Sequence, residues 1–125
     1  MKLLVVIVAI FICLNMKAGE VYLCKSYSPK GGPQQTKSEW KAKKDNICIV
    51  YHHDTFYPAT GNYKLSIAKR VEKYYFARFI NKEIRVVKGT KWTVAYYTIT
   101  EPGDYVISII DDSGYILGEQ PCVVK

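Results

Sequence analysis

Lys91-Trp-Thr-Val-Ala-Tyr-Tyr-Thr-Ile-Thr100 is followed by Glu101-Pro-Gly-Asp104, Tyr105-Val-Ile-Ser-Ile-Ile110, Asp111-Asp-Ser-Gly114 and Tyr115-Ile-Leu117. Runs rich in β-branched and aromatic residues are separated by Pro102-Gly103 and Ser113-Gly114. Such runs, cut by turn signals, are how consecutive antiparallel strands are written in a sequence. The C-terminal third therefore reads as a β-meander.

Working back toward the N-terminus, Ile84 to Val87 reads as a short strand ended by Lys88-Gly89-Thr90. Val71 to Asn81, with Tyr74, Tyr75, Phe76 and Phe79, fits either a short helix or a strand covered on both faces, and the surrounding β pattern favours a strand. Tyr63, Leu65 and Ile67 alternate with Lys64, Ser66 and Ala68, giving one core face and one wet face. Asp54 to Asn62 reads as a loop around Pro58 and Gly61, and Ile47 to His52 as a central strand. Ser28 to Gln35, punctuated twice by Pro and Gly, reads as irregular. Trp40, alone among lysines, is expected to plug one end of the core. Glu20 to Tyr27 is the first strand, with Val21 and Leu23 on one face and Tyr22 and Cys24 on the other. Seven or eight short strands with no long helix describe an all-β, two-sheet antiparallel sandwich.

The chain has 125 residues, enough for one domain. Residues 1–18 combine Met1-Lys2, an apolar run from Leu3 to Leu14 and the small residues of a cleavage site. The run is too short to cross a bilayer, which takes roughly 20 apolar residues. It reads as a signal peptide, leaving a domain at 19–125 with no membrane span, secreted or periplasmic. Losing Lys2 and Lys17 takes the formal net charge from +7 to +5. The excess is lopsided: Cys24 to Lys91 holds 15 Lys or Arg against five acids, whereas Trp92 to Lys125 holds one against five. A basic surface attracts polyanions. Its lysines are spread along strands and turns, the pattern of a solvated surface, and no nucleic acid is expected.

Export permits disulfides, and the mature chain carries Cys24, Cys48 and Cys122, an odd number that allows one internal bridge. Terminal strands often lie side by side, so the expected pair is Cys24 with Cys122, and Cys48 reads as a buried core thiol.

Catalytic constellations are missing from the sequence. His52-His53-Asp54 is the only histidine site, and neighbours on a strand point to opposite faces. There is no Cys-x-x-Cys, no second histidine cluster and no Gly-x-Ser-x-Gly, while Asp111-Asp112 precede a turn where Asp ordinarily caps backbone amides. No enzyme, metal or cofactor is expected. Eleven tyrosines do stand out. Tyr offers a flat apolar face and a hydrogen-bonding tip. Tyr57, Tyr74, Tyr75, Tyr96 and Tyr97, with Lys73 and Arg78, are the candidate ligand-binding residues for an acidic glycan or a protein partner.

Pro102-Gly103-Asp104-Tyr105, a glycine two residues before a strand-opening tyrosine, resembles the tyrosine corner of immunoglobulin-like and fibronectin type III sandwiches. The resemblance implies that fold, with a binding or structural role. The chain departs from true immunoglobulin domains in carrying Ile107 where the second bridge cysteine would stand. A second likeness is shorter: Pro58-Ala59-Thr60-Gly61-Asn62-Tyr63 is similar to a loop of the chagasin-like inhibitors of papain-type proteases, matching at Pro58, Thr60 and Gly61. The family's glycine-rich second loop would fall at Lys88-Gly89-Thr90, and its third at Asp111 to Gly114, where neither motif is complete.

Overall fold

The computed structural model describes residues 20–52, 61–73, 75–86 and 92–125, with backbone alone for residues 61, 75, 76, 78, 79, 85 and 86. Nine strands follow in order: β1 (Val21–Ser28), β2 (Gly32–Thr36), β3 (Glu39–Trp40), β4 (Ile47–His52), β5 (Gly61–Glu72), β6 (Tyr75–Val86), β7 (Trp92–Tyr97), β8 (Gly103–Ile110) and β9 (Ile116–Val124). They form a four-stranded sheet, β2-β1-β4-β7, and a five-stranded sheet, β3-β9-β8-β5-β6. Every pairing is antiparallel except β3 with β9. With β1, β4 and β7 in one sheet and β5, β8 and β9 in the other, the strand arrangement is that of an immunoglobulin-like sandwich.

Period-two alternation builds the core. Leu23, Ile49 and Ala95 share one rung of the first sheet, and Ile67, Ile107 and Leu65, Ile109 face them from the second. Leu65, Ile67 and Ile107 are fully buried. Trp40 is the expected plug, 2% exposed, with the Lys37 ammonium 4.5 Å above its ring. The segment behind it is tied down twice. Asp45 Oδ2 accepts the Lys41 amide at 2.8 Å, and the Lys43 amide donates to Ile99 O at 2.9 Å.

Two sequence expectations change. Val71 to Asn81 and Ile84 to Val87 are not separate strands: β5 and β6 form one long hairpin, Gly61 opposite Val86 and Glu72 opposite Tyr75. Val71 and Glu72 end the first arm, and everything from Tyr75 to Val86 is the second. Long paired strands accommodate charged residues such as Lys82 and Glu83 because one face stays wet, so the charges did not mark a turn. The Pro-Gly stretch is likewise not irregular, since β2 pairs with β1 through Tyr27↔Pro33 and Ser28↔Gly32. Pro33 is tolerated because β2 is an edge strand, where a missing N–H breaks no further ladder. Gly32 at φ 70° supplies the left-handed backbone that opens it.

The tyrosine corner is present. Tyr105, 1% exposed, sends its hydroxyl back to the Glu101 carbonyl at 2.7 Å. Burial raises its phenol above the usual tyrosine range.

Candidate functional site

The outer face of a sandwich sheet is ordinarily polar, because only the inner face meets the other sheet. On the four-stranded sheet the even-numbered positions point outward, and they are mostly apolar or aromatic. Cys24, Cys48 and Tyr96 form one rung across β1, β4 and β7; Tyr22, Val50 and Val94 form the next; His52 and Trp92 form the third.

Cys24, Cys48 and Val50 are 0% exposed and make a second, smaller core with Tyr22, Tyr27, Trp92 and Val94 around them. Strand β1 creates this cover. Its ladder with β4 ends at Cys24↔Cys48, and the strand continues into the β2 hairpin, where Tyr27 reaches Trp92 at 5.8 Å between ring centroids. The hairpin therefore bends over the outer face. Tyr22 meets the same indole at 6.2 Å, and the His52 imidazole stacks on it at 4.2 Å and 21°. His52 Nδ1 has no hydrogen-bond partner among the described residues. Tyr22 donates to Glu20 Oε2 at 3.1 Å.

Three groups of the patch, Cys24, Tyr27 and Tyr96, are harder to ionise than usual. Burial, then the neighbouring Cys48, pushes the Cys24 thiol up to about 12. Hydrogen bonding to Cys48 raises the Tyr96 phenol, and burial raises that of Tyr27. Tyr22, Tyr27, His52 and Trp92 are half-buried, and Tyr96 is 49% exposed. The result is an aromatic platform with hydrogen-bonding tips at its margins, which suits stacking against sugar rings or packing against a partner.

The residues expected from the sequence are dispersed. Tyr96 lies on the aromatic face, but Tyr97 turns inward and packs on the main core. Adjacent strand residues must take opposite faces, so only one of the pair could join. Lys73 is exposed at the end of the β5–β6 hairpin, in the other sheet. Arg78 and Tyr75 belong to β6 and only their backbone is described, Arg78 opposite Ala68. Tyr57 and Tyr74 fall outside the described residues, as do His53 and Asp54. Of the candidates whose side chains are described, Tyr96 thus lies on the four-stranded sheet and Lys73 beside the five-stranded one. What the sequence reading missed was the partnership of Tyr22, Tyr27, His52 and Trp92. The even-numbered alternation of β1, β4 and β7 carried the signal for Tyr22, His52 and Trp92 but not for Tyr27, and which strands are neighbours is a matter of topology.

The basic excess is partly consumed internally. Lys125 pairs with Glu39 at 2.8 Å, Lys69 with Glu101 at 3.0 Å, Lys37 with Asp45 at 3.4 Å and Arg70 with Asp104 at 3.7 Å. Asp111 plays the turn role: its Oδ1 accepts from the Ser113 hydroxyl, the Tyr115 amide and the Ser113 amide at 2.8, 2.9 and 3.0 Å. Of the chagasin-like segments, Pro58, Thr60 and Lys88 to Thr90 fall outside the described residues.

The cysteines also differ from expectation. Cys24 faces Cys48, 3.7 Å away, and all three thiols are free. Cys122 sits in the main core, opposite Tyr105, where burial pushes its thiol up to about 11. Cys24 points out of the first sheet and Cys122 inward from the second, so a whole sheet lies between them. Cys48 belongs with Cys24 to the outer cluster and not to the main core.

No protein-family model matches the chain, and no curated protein is similar to it. Solved structures are. An immunoglobulin-like protein from Pseudomonas aeruginosa superposes with a TM-score of 0.55 at 18% identity, over 84% of this chain and 91% of that one. A superoxide reductase, neelaredoxin, from Ignicoccus hospitalis reaches 0.44 at 8% identity, over 71% and 74%, too distant to support an argument. The fold is an immunoglobulin-like β-sandwich.

Proposed function

We propose that this chain is an exported, non-catalytic binding module of immunoglobulin-like fold, and that its ligand surface is the outer face of the four-stranded sheet. The observation that carries the reading is the His52–Trp92 stack at 4.2 Å, flanked by Tyr22 and Tyr27 and extended by the exposed Tyr96. Aromatic area on a face that is usually polar is costly to leave wet unless something covers it. The favoured ligand is an acidic glycan. Its ring faces would stack on the aromatics, and the basic excess of residues 24–91 would draw its charge.

Export rests on the apolar leader at 1–18. A module of this kind needs no reacting groups, only a rigid platform, and the sandwich supplies one.

The test is retention of the full chain on immobilised acidic polysaccharides at low and raised salt, beside Trp92→Ala, Tyr96→Ala and, as a control in the turn between β8 and β9, Tyr115→Ala. Retention that falls with salt and is lost in the first two variants, but kept in the control, is the expected result. Retention indifferent to both variants would move the site elsewhere. No retention on any glycan would leave a protein partner or a structural role.

A further inference from the structure

The geometry points to Cys24 and Cys48 as the pair that forms this chain's internal disulfide, with Cys122 left as the lone thiol. The two residues stand directly opposite in the β1–β4 ladder and their sulfurs are 3.7 Å apart. In the same ladder the His52 amide donates to Glu20 O, so by the two-residue period of antiparallel pairing Cys24 and Cys48 form a rung of the same hydrogen-bonded type. Such rungs have Cα atoms about 5.5 Å apart. Disulfides span roughly 4.4 to 6.8 Å between Cα atoms, so the backbone spacing of this rung falls within the range a bridge requires. Cys122 has no such access, being inward on the other sheet.

An oxidising setting follows from the export reading, but the chemistry can be tested without it. With a small disulfide such as oxidised glutathione as oxidant, the Cys24 thiolate attacks one glutathione sulfur, the glutathione S–S bond breaks, and one glutathione leaves as thiolate. The Cys48 thiolate then attacks Cys24 Sγ in the mixed disulfide and expels the second. Two chain thiols are oxidised, one disulfide is reduced, and the two protons end on the two glutathione thiols. Both sulfurs are 0% exposed and Cys24 is pushed up to about 12, so exchange in the folded state is slow. The bridge therefore forms while the chain folds or when the β1–β2 hairpin lifts off the outer face. Once formed, it staples β1 to β4 at the rung where the hairpin departs.

The full chain is to be unfolded and reduced, refolded in a mixed glutathione buffer, quenched with acid, alkylated and digested with trypsin without reduction. Trypsin places each cysteine on its own peptide: 3–17, 18–25, 45–64 and 92–125. The expected product links 18–25 to 45–64, with 92–125 alkylated, and persists in Cys122→Ser. A link from either peptide to 92–125, or a refolded chain with all cysteines alkylated, overturns the proposal. A second reading does not depend on a single variant's folding. Reductant should lower the thermal midpoint of the refolded chain and leave that of the Cys24→Ala, Cys48→Ala double variant unmoved, and equal effects on both would refute the bridge.

Discussion

Tyr105 Oη donates to the main-chain oxygen of Glu101 at 2.7 Å, closing the loop between β7 and β8 onto the edge of the core. This bond is worth more than its length suggests because the tyrosine ring is buried while its tip reaches back to backbone. Losing it leaves a carbonyl short of a partner. Tyr105→Phe should cost about 1 kcal/mol in urea unfolding, and Tyr115→Phe, whose ring is 71% exposed, almost nothing.

Gly103 makes the same corner possible. Its φ of 154° lies where side chains are disfavoured, and an added Cβ would meet Lys69 Cε at 2.9 Å. The lysine tip can swing away at the expense of its pairing with Glu101, so the backbone sets most of the cost. Gly103→Ala should lose roughly 1–3 kcal/mol, read as a shifted unfolding midpoint with unchanged slope.

Trp40 fills the end of the core beside β9, and its Nε1 has no hydrogen-bond partner among the described residues. Truncation to Ala should cost about 3–5 kcal/mol through lost burial and the cavity left behind. Trp40→Phe keeps most of the apolar volume and breaks no hydrogen bond, so its loss should be clearly smaller. Denaturant titration of the two variants side by side checks the order.

Acid should weaken the fold through two loops. Hydrogen bonding to the Lys41 amide holds the Asp45 carboxyl below its ordinary range, and bonding to Ser113, then to the Tyr115 amide, does the same for Asp111. A carboxyl whose pKa is lowered by folding stabilises fully above its unfolded value and progressively less as pH falls through the folded one. Unfolding midpoints should therefore drop from about pH 5 downward. The double variant Asp45→Asn, Asp111→Asn should start lower at neutral pH and fall less steeply.

The bridge between Cys24 and Cys48 would close a loop of intermediate length. In the chain-entropy view such a closure is worth about 3–4 kcal/mol. The oxidised chain should unfold at correspondingly higher urea than the reduced one.

Much of the architecture was legible because alternation is a local signal. Tyr63, Leu65, Ile67 and the β8 run could be assigned to a core face from their spacing, and Pro102 to Tyr105 announced the corner. Pairing was not legible in the same way. The β5–β6 hairpin merged two apparent strands because the polar residues Asn81 to Glu83 interrupt the apolar pattern until a partner strand is known. The small second core escaped notice for a related reason. Its contributors come from β1, β4 and β7, and only the bend of the β1–β2 hairpin brings Tyr27 to Trp92. Cys24 was assigned a partner by chain position, whereas the sheet order put Cys48 beside it.

The parallel pairing of β3 with β9, Glu39 beside Val123 and Trp40 beside Val124, also governs when the molecule can fold. Trp40 is synthesised before β9 and can be enclosed only after that strand has left the ribosome. Until then the second sheet lacks one edge and the core stands open at one end. Such long-range closure is slow, on the order of milliseconds to seconds. The nascent domain thus stays unfinished until β9 has been made, and that strand acts as the latch.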